Sequence, residues 1–291
     1  MGVHLAQHFV SECQYSCIIL FEWLFFPDIG VAQAMREKWG DKFHENIMFC
    51  GGSAGTVTAV MLSLGKTHED LAIMYKYCAR KTNSRGFYYR PSEFLTECIE
   101  KIVRESSDTY KILQGKCCFG TTAFFSHHRW HMNWADNDDL LKSIIGSYNI
   151  PVYCSKSDAI YGFEVVDGAY GVAGTDFPHG NETLFVGIDP LAEIGRSLTY
   201  HQMLIPSEGQ EYEDLVASGY SAFMNWDGQM KDKVGQRIPN YPALCLLWAL
   251  KFIEILLYAL TSFFASMYAL LVYCFDRNKR SILHYDSNKK D

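Results

Sequence analysis

The chain has 291 residues, 48% of them apolar and 20% charged, with 22 glycines and 8 prolines. Those proportions exclude collagen-like and low-complexity classes, and the length holds one large α/β domain or two small ones with a substantial core. The 26 basic residues against 33 acidic, a net charge of −7, argue against a nucleic-acid protein, because no basic surplus exists to neutralise phosphates.

The N-terminus carries weak targeting signals only. Residues 17–26 form an apolar run, but Glu22 interrupts it, Glu12 precedes it and no Lys or Arg does, which disfavours a secretory signal. Gly2 follows Met1, yet Ala6 stands where a myristoylation signal needs Ser or Thr. Residues 17–21 then read as a buried strand, 30–39 as a helix and 47–50 as a second strand. That strand ends at Gly51-Gly52-Ser53-Ala54-Gly55, and a helix over 56–64 follows, closed by Gly65. Helical spacing continues over 68–82 and 91–105, with Pro91 just inside the second start. Residues 119–126 read as a strand. Asp136 to Asp139 open a helix to Tyr148, their charge suiting the positive end of its dipole. Short strands are expected over 152–154, 163–166 and 184–188, then a helix over 211–223 and a polar stretch over 225–240. Strands and helices alternate, so the expected architecture is a mostly parallel sheet layered with helices.

The C-terminal part changes character. Residues 243–275 carry only Lys251 and Glu254 as charges, and 255–275 carry none. Those 21 residues would reach about 32 Å as a helix, against a hydrocarbon core of about 30 Å. A membrane helix is therefore expected, followed by a basic tail over 276–291. Residues 1–240 form the expected globular domain, placed on the cytosolic side. A single crossing would then put Arg277, Lys279 and Arg280 across the membrane, against the usual charge preference. A hairpin bent near Thr261 and Ser262 is the alternative. Ten cysteines are scattered at 13, 17, 50, 78, 98, 117, 118, 154, 245 and 274 with no C-x-x-C pair. They read as small buried hydrophobes in a reducing compartment rather than as disulfide partners.

The strongest chemical signal is G-x-S-x-G at Gly51, Ser53 and Gly55. A strand that turns sharply into a helix holds its serine strained at the sheet edge, and only small neighbours tolerate that backbone. The structural alternative is a plain glycine turn. A nucleophilic serine needs a base. No histidine sits in an evident late setting, although His179 and His201 are candidates. Val165-Val166-Asp167-Gly168-Ala169 instead ends an apolar strand on a carboxylate. Asp227-Gly228 is a poorer rival because no strand precedes it. His127, His128 and His131 lie within helical reach of one another but lack a glutamate in metalloprotease spacing, and Asp136 to Asp139 lack a calcium-loop pattern, so no metal or other cofactor is expected. Asn181-Glu182-Thr183 is a glycosylation sequon that matters only in a lumenal domain.

In Gly51 to Gly55 after one apolar strand and Asp167-Gly168-Ala169 after another, the chain resembles the patatin-like phospholipase family. Gly30-Val31-Ala32 at the first helix and the order of elements support the likeness, which extends over residues 17–225. The resemblance implies a three-layer patatin-like α/β fold and a Ser–Asp dyad that hydrolyses lipid acyl esters through an acyl-enzyme, without histidine or metal. Ser53 would be the nucleophile and Asp167 its base. Gly51, Gly52, Ala54 and Gly55 would shape the elbow, the Ala54 amide would donate to the oxyanion, and membrane lipid would be the substrate. The chain departs from the family between its first strand and first helix, where residues 21–29 hold no glycine and Pro27 has no N–H. One missing oxyanion donor costs roughly 10²–10³ in rate. The alternative expectation is thus a catalytically impaired lipid-binding or membrane scaffold protein.

Overall fold

A computed structural model of the protein describes residues 16–21, 26–85, 91–123, 128–149, 165–167, 183–187, 194–195, 206–228 and scattered helical positions from 245 to 268. By internal contact the chain divides into two units, Met1–Leu244 and Cys245–Asp291. The expected strand at 152–154, Gly168, Ala169, His127, His179, His201, Asn181 and the basic tail all lie outside the described residues.

The first unit is mixed α/β. Its described strands are β1 (Ser16–Phe21), β2 (Ile47–Gly52), β3 (Cys117–Ala123), β4 (His128–His131), β5 (Val165–Asp167), β6 (Thr183–Gly187) and β7 (Ile194–Gly195). They share one sheet in the order β4-β3-β2-β1-β6-β7, with β5 also paired to β3. β1 lies parallel to both β2 and β6. Bonded on both sides, β1 is a central parallel strand, the kind that reads as a near-continuous apolar run, as Cys17 to Phe21 does. β2 and β3 are parallel, as are β6 and β7, while β4 and β5 meet β3 antiparallel.

The helices are α1 (Phe26–Trp39), α2 (Gly55–Ser63), α3 (His68–Arg85), α4 (Pro91–Val103), α5 (Thr109–Leu113), α6 (Asn137–Ser147) and α7 (Gly209–Met224). All nine residues of α2 are buried, which explains its lack of a polar stripe. Lys66 N–H bonds to Met61 O and Gly65 N–H to Leu62 O, with Gly65 at φ +71°, and this left-handed cap ends the helix where glycine was expected to end it. At the start of α6 the Asp136 carboxylate accepts from Asp139 N–H at 2.8 Å. The acidic cluster is therefore a helix cap.

Three expectations change. Residues 26–29 were read as loop, yet α1 begins at Phe26; Pro27 is tolerated there because a first-turn N–H has no intrahelical acceptor anyway. His128 and His131 were read as within helical reach of one another, and they instead lie on strand β4, to which β3 offers an edge from Phe119 to Thr122. The reduced-cysteine reading fails at one pair. Cys50 on β2 and Cys118 on β3 are register partners, with Cα atoms 4.6 Å apart, and they are joined in a disulfide. Directly opposed strand residues share a face, so their sulfurs meet. Cys78, Cys98, Cys117 and Cys245 are free thiols.

In the second unit, residues 252, 253, 256, 257, 260, 263, 264, 267 and 268 are helical, and their apolar side chains are exposed, Phe252 at 68% and Tyr268 at 71%. Among the described residues no helix is long and apolar enough to cross a membrane. The expected membrane-spanning helix is thus not supported by them.

Helices α1 and α7 touch at Gly30, where an added Cβ would stand 1.9 Å from Val216 O and 2.7 Å from Tyr220 N. Backbone cannot yield as a side chain can. Gly30→Ala is expected to cost about 3 kcal/mol or more, at the upper end of overpacking penalties. Gly115→Ala, whose Cβ meets nothing within 4 Å at φ +75°, should cost only about 1–2 kcal/mol of backbone strain. Denaturant midpoints of the two variants check the difference, and equal midpoints would contradict close packing at Gly30.

Candidate active site

β2 ends at Gly52 and α2 begins at Gly55, leaving two residues for the reversal. Ser53 lies at φ 57°, the non-glycine residue with positive φ among those described. Holding a non-glycine residue in such a region costs on the order of 1–3 kcal/mol and persists only when the surroundings over-determine it. Gly51 shows how tight the reversal is: an added Cβ there would lie 2.3 Å from Thr56 Cα and 2.6 Å from Thr56 N. The first turn of α2 passes directly over the end of β2, so position 51 cannot carry a side chain. Ser53 itself is 3% exposed.

Backbone bonds close the turn. Thr56 N–H donates to Ser53 O at 3.1 Å and Val57 N–H to Ala54 O at 3.0 Å. The Ala54 and Gly55 amides take no part in these two bonds. They stand at the N-terminus of α2, where N–H groups and the helix dipole favour negative charge. The Ser53 amide faces elsewhere: it donates to Ser147 Oγ at 3.1 Å. Ser147 closes α6, and its hydroxyl also meets Thr56 Oγ1 at 2.7 Å and Gly120 O at 2.6 Å.

Register places Asp167. On β3, Gly120 is the partner of Gly52 on β2, and the next residue, Thr121, is the partner of Asp167 on β5. Thr121 and Thr122 also pair with Arg129 and His128 of β4. A strand residue has two lateral edges, so β5 must occupy the edge that β2 holds from Cys117 to Gly120. β5 therefore follows β2 along one flank of β3. Asp167 stands about 3.3 Å, one strand residue, beyond Gly52 along that flank. That is the place Ser53 would fill if β2 ran on. The sequence anticipated a carboxylate at a strand end; the shared flank is non-local and left no sequence signal.

Two buried polar groups, Asp28 and Asn149, drew no functional reading from the sequence. Asp28 is wholly buried in the first turn of α1. Asn149, two residues past Ser147, is 1% exposed, and neither its Nδ2 nor its Oδ1 has a hydrogen-bond partner among the described residues. His131 Nε2 lies 2.9 Å from Thr121 Oγ1. The helical reach expected of His128 and His131 does not hold, because both lie on strand β4. Asp227-Gly228 follows α7, with no strand before it. A cavity of about 340 Å³ lined by Tyr75, Arg80, Ser207 and Tyr212, among others, includes no residue of the serine turn.

No protein-family model matches the chain, and no curated protein matches it either. Among solved structures it is similar to VipD from Legionella pneumophila, at 12% sequence identity and a TM-score of 0.46. The match covers 72% of this chain and 66% of that one, so this chain spans about two thirds of the neighbour's length.

Burial holds the His131 pKa below its ordinary 6.5, Asp139 opposing the shift and Arg129 adding to it. The folded state therefore resists taking up that proton. Stability is full above about pH 6.5 and falls as pH drops below it, because the unfolded chain binds the proton first. The thermal midpoint should fall further between pH 7.5 and 5 in the parent than in His131→Gln. Equal declines would contradict the shift.

Proposed function

We propose that the first unit is a serine ester hydrolase of the patatin-like, Ser–Asp type, and that its substrates are acyl esters of lipids. The observation that carries the reading is the reversal at Ser53. A serine held at positive φ between β2 and α2 stands where Asp167 is the next residue along the same flank of β3. Strain of this kind is kept where it serves a site. A plain glycine turn does not need a serine at its left-handed position.

In this reading the Asp167 carboxylate takes the proton of Ser53 Oγ as that oxygen attacks the acyl carbonyl. The oxyanion that forms faces the Ala54 and Gly55 amides at the start of α2. Collapse breaks the ester C–O bond, and the departing alkoxide recovers the proton from Asp167. The same carboxylate then takes a proton from the water that attacks the acyl-enzyme, the bond between the acyl carbon and Ser53 Oγ breaks, and Ser53 Oγ recovers that proton as the fatty acid leaves. The described residues of the second unit support a lipid substrate, because Phe252, Leu256, Phe263 and Phe264 are all more than half exposed. Large exposed apolar side chains in succession suit a lipid surface better than water. We place residues 243–275 in the membrane as the anchor, with the hydrolase unit on the cytosolic side.

A second reading, a catalytically silent lipid-binding protein, is favoured by the 3% exposure of Ser53 and by Pro27 in the first turn of α1, where no N–H is available. Turnover separates the two. The parent should hydrolyse a short-chain p-nitrophenyl ester, and Ser53→Ala and Asp167→Asn should each lose about 10³-fold or more in kcat while staying folded. Chelators should leave the parent unchanged. Hydrolysis by either variant at the parent's rate overturns the dyad, and a folded parent with no turnover that still binds lipid vesicles establishes the silent reading.

A further inference from the structure

Ser147 was not singled out by any sequence signal. It is one serine at the end of one helix, yet it is fully buried and meets three elements at one oxygen. Its partners fix where every proton lies. Gly120 O is a carbonyl and can only accept, so the single Ser147 proton goes there, at 2.6 Å. The Thr56 hydroxyl, 2.7 Å away, must then donate to Ser147 Oγ. The Ser53 amide donates to the same oxygen at 3.1 Å. One donor and two acceptor positions are all a hydroxyl has. The node is complete and has no spare capacity to rearrange.

Resting on the hydrolase reading above, we propose that Ser147 is the positioning residue of the serine turn: its hydroxyl locks Ser53 in the left-handed conformation that chemistry requires. The bond acts on the residue that carries the strain. With Ser53 N–H drawn to α6, the peptide plane before Ser53 is fixed, and the amides of Ala54 and Gly55 are the ones left to face the substrate. The Thr56 contact ties the first turn of α2 to the same oxygen. The Gly120 contact ties both to β3, one residue before the partner of Asp167. Nucleophile turn, helix N-terminus and the Asp167 flank of the sheet thus share one anchor.

Removing the hydroxyl leaves the Ser53 amide and the Gly120 carbonyl buried without their partner, and the turn is free to relax. Ser147→Ala should lower kcat for ester hydrolysis by about 10–100-fold with KM within about threefold, because misplacement acts on the reacting geometry more than on binding. Ser147→Thr, which keeps the hydroxyl, should recover most of kcat. Ser147→Cys fills the same space but accepts poorly, and stands in should the alanine variant not fold; it should lose about tenfold. Unchanged kcat in a folded alanine or cysteine variant, with only the thermal midpoint lowered, overturns the proposal and leaves Ser147 a stability residue. Should the parent itself show no turnover, the hydrolase reading fails, and amide exchange at Ser53, read by NMR, judges the node. Slow exchange in the parent and at least 100-fold faster exchange in the cysteine variant, with Phe49 unchanged, supports the anchor, and equal exchange overturns it.

Discussion

The structure of the first unit depends on how β2 ends. Its chain leaves the sheet at Ser53, at φ 57°, instead of running one residue further beside β3. That departure does two things at once. It turns a serine out at the N-terminus of a buried helix, and it vacates the edge of Thr121, which β5 takes with Asp167. Had β2 continued, the carboxylate would have had no strand edge to occupy. One reversal thus sets the places of Ser53 and Asp167 in the fold.

The reversal is held from several sides, as a strained residue must be. Above it, α2 comes so close to β2 that position 51 has no room for a Cβ. Beside it, Ser147 takes the Ser53 amide from the end of α6. Behind it, the Cys50–Cys118 disulfide joins β2 to β3 three residues before Ser53. The bridge spans 68 residues of sequence, and closing a loop of that length removes about 4 kcal/mol of unfolded-chain entropy in the chain-entropy view. Below it lies a closely packed core in which Phe49 and Phe119 are fully buried. The reversal thus sits on a closely packed and cross-linked part of the sheet, as a strained residue needs.

Much of this was legible from local pattern. β1, β2 and α2 announce themselves as apolar runs, and Gly51, Ser53 and Gly55 carry their conformational meaning at fixed spacing. What depended on pairing across the sheet was not legible. β4 reads His-Arg-Trp-His with no apolar alternation, and it becomes a strand only because β3 has a free edge. Cys50 and Cys118 meet by register, which spacing in sequence cannot reveal. The shared flank of β2 and β5 is the same kind of fact. α1 is a different case. Pro27 and its bulky neighbours were read as loop, although proline in a first turn is a helix-start signal. Ser147 had no signal at all, because its role is conferred by partners 94, 91 and 27 residues away.

The central claim is that Ser53 Oγ is an activated nucleophile. Its most direct test is covalent capture. The parent is incubated with a fluorophosphonate, and the modified residue is located by peptide mass spectrometry. The account predicts a single phosphonyl adduct on Ser53, formed in the folded protein, abolished by prior heat denaturation and strongly slowed in Asp167→Asn. A folded parent that stays unmodified at Ser53, or one whose Asp167→Asn variant is labelled as fast, contradicts it.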